Sequence, residues 1–361
     1  METRQRTAPR DVTLALEGGG ALGAFTWGVL ERLLEVPDLR VAAVSGTSAG
    51  ALNGAMLVQG LVQGGRAGAR ALLETFWHRV AIAAGSFPGP AGNWLQSMSA
   101  GMAPMLDAMR KAGSAMSGGF TFGSNPLRGI LAELLHPPLF TDPAAPELVV
   151  AATRVRTGEA RLFWGSEVSI DALLASACLP MLFSAIEIEG EAYWDGGYSS
   201  NPPVRPLIEA GAPTDVIIVR TTPSERVRFP SGASAVNNRV SEITFGTPLR
   251  AELHSLALAQ ASLTEATNLP DRLTRLRDAR LHMIGPLTGE ADPTFAALQP
   301  TWSNFAAQRE RGIAAAEFWI DTHLDKVSER SSLDLSSYAD GVAGTSAPPV
   351  RHFLEGATHA T

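Results

Sequence analysis

Short apolar runs alternate with stretches of helical periodicity in the first part of the chain. Residues 12–16 and 41–44 are almost entirely apolar, as in buried strands. Between them, residues 24–34 carry apolar side chains at helical spacing, and Pro37 follows this helix. The order strand, helix, strand predicts an α/β domain with a parallel sheet, because parallel strands need a crossover connection.

The same patterns predict the elements of the remaining chain. We expect strands at residues 148–152, 159–164, 216–219 and 281–284, helices at 67–80, 98–109, 170–177 and 302–327, and a helical region at 237–264 interrupted near Gly246 and Pro248. Residues 185–193 predict a hairpin that turns at Gly190. Residues 328–361 are rich in Ser, Gly and Pro, so we expect a flexible, loosely held tail there.

The second predicted strand leads directly into Gly46-Thr47-Ser48-Ala49-Gly50, and a helix-forming segment follows. Small residues around Ser48 permit the tight strand-to-helix turn that holds a nucleophilic hydroxyl away from the backbone. A G-x-S-x-G sequence alone is common, and an ordinary turn is the alternative interpretation. Ser48 is therefore a candidate nucleophile whose role depends on its neighbours.

The first predicted strand ends at Glu17 and enters Gly18-Gly19-Gly20-Ala21-Leu22-Gly23. This spacing matches the dinucleotide-binding fingerprint, which also needs an acidic residue at the end of the next strand. That strand ends instead in Ser45-Gly46-Thr47-Ser48, which disfavours a dinucleotide site. Consecutive glycines before a helix also leave N–H groups directed at one point, which suits a developing oxyanion.

A third signal is Asp195, which is predicted to lie at a strand end before Gly196-Gly197. Alone, Asp-Gly-Gly is a routine turn sequence. Together, however, the Gly-rich turn, the serine elbow and Asp-Gly-Gly occur in the order found in the patatin-like phospholipases, which this chain resembles. Residues 175–180 and Asn201-Pro202 are also similar to that family.

The resemblance covers about residues 12–220 and implies a three-layer α/β/α fold with a central, mostly parallel sheet. It implies a dyad in which Ser48 is the nucleophile and Asp195 the general base. It also implies that the backbone amides of Gly18, Gly19 and Gly20 form the oxyanion hole. The implied activity is that of a carboxylic ester hydrolase, without a cofactor, that cleaves lipid acyl esters through an acyl-enzyme. Residues 12–220 would be the catalytic domain, with residues 221–327 a helical part packed on it.

One residue departs from the family pattern. Many members carry Arg or Lys just before the last glycine of the Gly-rich motif, and this chain has Leu22. The loss of that cation weakens any inference about anionic headgroups. Phospholipids, neutral glycerides, thioesters and hydroxyalkanoate polyesters all stay open as substrates, and so does a catalytically silent lipid- or granule-binding protein.

The rival hydrolase interpretation is an α/β-hydrolase with a histidine triad. It requires an acid and then a histidine after the serine, and His254, His282 and His323 are available. That fold places its elbow after several strands, whereas here only one predicted strand precedes the strand that enters the elbow. We therefore favour the Ser-Asp dyad.

Composition narrows the remaining function classes. The 361 residues are 45% hydrophobic, enough for one large domain, and 29 basic against 36 acidic residues give a net charge of −7. No basic block predicts nucleic-acid binding. The single cysteine, Cys178, excludes an internal disulfide, and no metal-ligand spacing is present.

The N-terminal residues and the least polar stretch of the chain bear on localisation and partners. Residues 1–10 do not resemble a secretory signal, and the least polar stretch, residues 173–186, is too short to span a bilayer. We expect a cytoplasmic protein with room for peripheral contact with a membrane or lipid droplet; the oligomeric state is open.

A Met-rich segment has the spacing of an amphipathic helix, with Met98, Met102, Met105 and Met109 on one face. Unbranched methionines make an adaptable apolar surface, and glycines flank the segment on both sides. It suits either packing on the core or a lid, and we predict that it borders the Ser48 pocket.

Overall fold

The computed structural model describes residues 9–86, 125–180, 182–223, 233–287 and 300–339. Within these ranges, eight strands form one sheet. They are β1 (Arg10–Leu16), β2 (Leu39–Thr47), β3 (Glu147–Arg154), β4 (Ala160–Trp164), β5 (Ile186–Ile188), β6 (Glu191–Asp195), β7 (Asp215–Val219) and β8 (Arg280–Ile284). Their order is β5-β6-β3-β2-β1-β7-β8, and β4 also pairs with β3.

The centre of the sheet is parallel and one side is antiparallel. β1 is parallel to β2 and β7, β2 is parallel to β3, and β7 is parallel to β8. β4 and β6 are antiparallel to β3, and β5 is antiparallel to β6. The prediction of a central, mostly parallel sheet is therefore confirmed.

Helices cover both faces of the sheet. In the described ranges they are α1 (Gly23–Leu33), α2 (Ala49–Ser86), α3 (Leu127–Leu134), α4 (Ile170–Ser176), α5 (Arg205–Ala210), α6 (Ala233–Leu263), α7 (Asp271–Asp278), α8 (Trp302–His323) and the short α9 (Ser336–Ala339). None of these helices is long and apolar enough to cross a membrane. Pro248, which we expected to interrupt the helical region, lies within α6.

Successive residues of the central strands face two separate cores. Leu14 and Leu16 of β1 pack in the cluster that includes side chains of α1, α2 and α8. Ala15 packs in a second cluster with residues of α5, α6 and α7. Because both faces of the sheet are buried, its central strands are apolar throughout, as parallel strands usually are. The three-layer α/β/α architecture is confirmed.

The predicted hairpin is present between β5 and β6. Its turn residues, Glu189 and Gly190, have φ values of 52° and 78°. Two successive positive φ values are the backbone signature of a tight hairpin turn. The hairpin matters for the site because Asp195 is the last residue of β6.

Residues 328–339 differ from the loosely held tail that we expected to begin at residue 328. The amides of Ser332 and Leu333 both donate to the Leu281 carbonyl, at 3.1 and 2.9 Å. The Ser332 hydroxyl lies 2.9 Å from His282 Nδ1. The serines that suggested a mobile segment therefore bind to β8. Residues 340–361 and the Met98–Met109 segment lie outside the described residues.

A close crossing of α1 and α8 generates a stability prediction. A Cβ added at Gly28 would lie 2.0 Å from the Arg309 carbonyl oxygen, and one added at Gly312 would lie 2.0 Å from the Phe25 carbonyl oxygen. We expect Gly28→Ala to lower the free energy of unfolding by about 1–3 kcal/mol, because the two backbones must separate. Chemical denaturation measures this loss.

Gly129→Ala is the matched control, because Gly129 lies inside α3 with no atom within 4 Å of an added Cβ. It should stabilise the protein by about 0.5–1 kcal/mol, through the higher helix propensity of alanine. Equal effects of the two substitutions would contradict the close crossing.

Candidate active site

The two predicted site residues are brought together by β3. Thr47, the last residue of β2, is paired with Ala151 of β3, and Asp195, the last residue of β6, is paired with the next residue, Ala152. β4 occupies the opposite edge of β3 at these positions, so β6 continues the edge that β2 leaves. Ser48 and Asp195 are therefore neighbours, although 147 residues separate them in sequence.

The junction leaves no room for a side chain at position 196. A Cβ added at Gly196 would lie 2.2 Å from the Ala151 carbonyl oxygen and 3.0 Å from Thr47 Cγ2. The Thr47 hydroxyl also donates to the Ser200 carbonyl at 2.7 Å. The turn after Asp195 is thereby packed directly on the end of β2.

Ser48 has the backbone conformation of a nucleophile elbow. Its φ is +54°, which is uncommon for a residue other than glycine, and it lies between β2 and α2. Its N–H donates to the hydroxyl of fully buried Ser176 at 2.9 Å. Its carbonyl accepts from the Leu52 amide at 3.1 Å, in the first turn of α2. The surrounding structure therefore holds the strained residue at both ends.

The Gly-rich loop lies against this serine. A Cβ added at Gly18 would lie 2.8 Å from Ser48 Cβ. The Gly18 N–H, however, donates to Asn201 Oδ1 at 2.7 Å, so it is already occupied. Gly20 has a φ of +57°, which turns the chain into α1. Of the three amides predicted to form an oxyanion hole, the Gly18 amide therefore already has a partner.

Asp195 is almost completely buried, with 1% of its surface exposed. Its Oδ1 accepts from the Gly197 amide at 2.8 Å. Its backbone is held on both sides, because its N–H donates to the Cys178 carbonyl and its carbonyl accepts from the Thr153 hydroxyl, each at 2.8 Å. Burial raises the pKa of Asp195 to about 7, and the contacts with Ser48 and the Gly197 amide oppose this rise only in part.

The side chains of Ser48 and Asp195 interact without an ordinary hydrogen bond. Contact with Ser48 lowers the pKa of the Asp195 carboxyl. Yet Asp195 Oδ2 has no partner of normal hydrogen-bond geometry in the described part of the chain. An acceptor beside the Ser48 hydroxyl is thus ready to take its proton, and hydrogen bonds of this kind often tighten only with substrate bound.

A second buried carboxyl fixes the other side of the Gly-rich loop. Glu17 accepts from the amide and the hydroxyl of Thr221, at 2.6 and 3.2 Å, and its Oε1 lies 3.9 Å from Arg220 Nε. Burial raises the pKa of Glu17, and Arg220 and Thr221 oppose the rise. A Cβ added at Gly19 would lie 2.4 Å from Thr221 Oγ1, so the Thr221 side chain, held by Glu17, packs directly against the Gly-rich loop.

The histidines proposed for a triad have other partners. His254 Nδ1 lies 2.7 Å from the Tyr338 carbonyl, and His323 Nδ1 lies 2.9 Å from Lys326 Nζ. His282 lies between Ser332 and Asp215. None of the three forms a hydrogen bond with Ser48 or Asp195 in the described residues, so the triad interpretation loses its support.

Sequence reasoning missed several residues that hold the site. Thr153 and Thr221 occur in ordinary sequence contexts, whereas Ser176 lies in the family-like run of residues 175–180. Each of the three meets its partner only through tertiary contacts. The Asn201-Pro202 sequence is part of the resemblance to the family, but nothing in it predicts the hydrogen bond between Asn201 and Gly18. Within the described ranges, no group of three or more His, Cys, Asp or Glu side chains could hold a metal ion.

The chain is similar in sequence or in fold to known proteins. The sequence model of one family, described as patatin-like phospholipase, matches residues 14–208, which is more than half of the chain. Among solved structures, VipD from Legionella pneumophila matches with a TM-score of 0.40 and 16% identity, over 94% of this chain and 75% of that one. No curated protein sequence matches. On the strength of the family match, the chain belongs to the patatin-like phospholipases.

Proposed function

We propose that the protein hydrolyses lipid acyl esters with Ser48 as nucleophile and Asp195 as general base. Asp195 takes the hydroxyl proton while Ser48 Oγ attacks the ester carbonyl. The amides of Gly19 and Gly20 stabilise the oxyanion that forms. Asp195 then gives the proton to the departing alcohol, which leaves an acyl group on Ser48. A water molecule, deprotonated by Asp195, attacks this acyl group and releases the acid and free Ser48.

The observation that carries this proposal is the strained backbone of Ser48, at φ +54°, beside the buried carboxyl of Asp195. A non-glycine residue keeps such a conformation only where the surroundings impose it, and such sites are often functional. An ordinary strand-to-helix turn would need neither the strain nor the adjacent carboxyl. Both features support a catalytic serine over a merely structural one.

Membership in the family supports lipid acyl esters as the substrate class. Leu22, which stands where many members of the family have Arg or Lys, is 8% exposed and packs in the core. It therefore offers no charge to a headgroup. We propose that recognition rests on the acyl chain and the ester more than on an anionic headgroup, with peripheral contact between the protein and the lipid aggregate.

Substitution of either dyad residue provides the first test. Ser48→Ala and Asp195→Asn should each lower kcat/KM for 4-nitrophenyl butyrate by at least about 10³-fold, because both residues act in the same step. Circular dichroism should show a retained fold. Exposed Ser255 on α6 provides the control, since Ser255→Ala should leave the rate unchanged.

Hydrolysis that persists in Ser48→Ala would contradict the dyad. A wild-type protein that binds lipid vesicles but hydrolyses no ester of graded chain length would instead favour the silent lipid-binding alternative.

The pH dependence of the reaction provides the second test. Burial raises the pKa of Asp195 to about 7, and only the ionised carboxylate can accept the serine proton. Below pH 7, kcat/KM for a neutral ester should rise about tenfold for each pH unit and then level off above it. An acid limb near pH 4 would show that the base is an ordinary, hydrated carboxyl.

The same burial predicts a stability effect of opposite sign to that of most buried-residue substitutions. The unfolded aspartate ionises near pH 3.8, but folded Asp195 ionises near pH 7, so its contribution to stability declines as pH rises between these values. Asp195→Asn removes this penalty while its amide oxygen can still accept from Gly197. The melting temperature should therefore rise at pH 8 and change less at pH 5.

Asp271→Asn serves as the control, because the Asp271 side chain is 81% exposed and its ion pair is worth little. A lower melting temperature of Asp195→Asn at pH 8 would contradict the raised pKa.

A further inference from the structure

Phe245, on the N-terminal half of α6, touches the site from outside the part of the chain that the family match covers. A Cβ added at Gly197 would lie 2.1 Å from Phe245 Cδ1 and 3.0 Å from Asp195 Oδ1. The aromatic ring is therefore packed on the backbone of the turn whose amide binds Asp195. It also lies 4.9 Å, centroid to centroid, from the ring of Tyr198.

The backbone of Phe245 reaches the opposite side of the site. Its carbonyl accepts from Asn201 Nδ2 at 3.0 Å, and Asn201 Oδ1 accepts from the Gly18 amide at 2.7 Å. Asn201 is fully buried, so this chain of bonds is shielded from competing water. One residue thus contacts the turn that carries Asp195 and, through Asn201, the loop that carries the oxyanion amides.

We propose that Phe245 is a positioning residue for the hydrolytic reaction: its ring keeps water from the Asp195 carboxyl and fixes the Gly196–Tyr198 turn, while its carbonyl fixes Asn201 and Gly18. This inference rests on the proposed roles of Ser48 and Asp195. It assigns a part of the chemistry to α6, which lies beyond residue 208, where the family match ends.

The electrostatics of the site agree with such a role. Burial is the largest cause of the raised pKa of Asp195, and the other causes are its contacts with Ser48 and Gly197. Phe245 is half-buried and packs on Gly197, so a smaller side chain there would admit water to Gly197 and to the carboxyl beside it. A hydrated Asp195 would be a weaker base, because its carboxylate would be stabilised.

The neighbouring titratable groups allow Asp195 to be observed separately. Cys178 follows α4, and Tyr198 belongs to the turn itself; burial raises the pKa of each to about 12. Both therefore stay neutral below pH 9. Glu17, at the end of β1, is bound to Thr221 on the other side of the Gly-rich loop. Among the described residues, no charged group contributes to the pKa of Asp195.

The test compares Phe245→Ala, Phe245→Leu and a control on the same helix. Leu253→Ala is that control, because Leu253 is 1% exposed and packs in the second core, away from the turn. For 4-nitrophenyl butyrate, we expect Phe245→Ala to lower kcat about 10–100-fold through misplacement of the dyad. The acid limb of its pH profile should move from about pH 7 towards the ordinary range of an aspartate.

Phe245→Leu should recover most of both effects, since leucine still excludes water. Leu253→Ala should lower the melting temperature and leave the acid limb near pH 7. An unchanged acid limb in Phe245→Ala, or an equal movement in Leu253→Ala, would overturn the proposal.

A readout independent of turnover separates this proposal from the proposed function. Carbon-13 titration of the Asp195 carboxyl, assigned by its loss in Asp195→Asn, reports its pKa directly in a Ser48→Ala background. A lower pKa with Phe245→Ala supports the shielding role even if the wild-type protein hydrolyses no ester. An unchanged pKa in a protein whose hydrolysis depends on Ser48 would overturn the role of Phe245 alone.

Discussion

The site depends on one junction in the sheet, where β6 continues the edge of β3 that β2 leaves. This continuation requires Gly196, because any side chain there would meet the Ala151 carbonyl. The elbow and the Asp-Gly-Gly turn are therefore fixed by the same two residues of β3. A displacement of either strand would separate Ser48 from Asp195, so under the proposed mechanism the antiparallel side of the sheet would affect catalysis as well as structure.

The raised pKa of Asp195 follows from the burial of its carboxyl without a cationic partner. A carboxylate in a protein core usually has a cationic partner. Asp215, the first residue of β7, is an example, because it pairs with Arg280. The side-chain contacts of Asp195 are instead with a hydroxyl and a backbone amide, and its pKa rises accordingly. Such a carboxylate is costly to the folded state but closer in basicity to what proton abstraction from serine needs. In the proposed mechanism, stability and catalysis are therefore opposed at this residue.

Local signals allowed much of the fold to be predicted, and they also indicated the candidate site residues. The apolar runs indicate the strands, and Gly190 indicates the turn of the hairpin. Ser48 and Asp195 were identified by short motifs at strand ends. The contacts of the supporting residues had no such signal, because Ser176 is 128 residues from Ser48 and Thr221 is 204 residues from Glu17. The serines of residues 328–339 suggested a mobile segment for a related reason. A serine can form its hydrogen bonds with the edge of a sheet as readily as with water, and its local sequence does not show which of the two it does.

In the proposed mechanism, Ser48 carries the acyl group during turnover. Rapid acid quenching of the protein with 4-nitrophenyl butyrate, followed by intact-mass and peptide analysis, would observe this intermediate. We expect a mass increase of one butyryl group, confined to the peptide that contains Ser48, together with a burst of nitrophenol. Turnover without any covalent adduct, or an adduct on another residue, would contradict it.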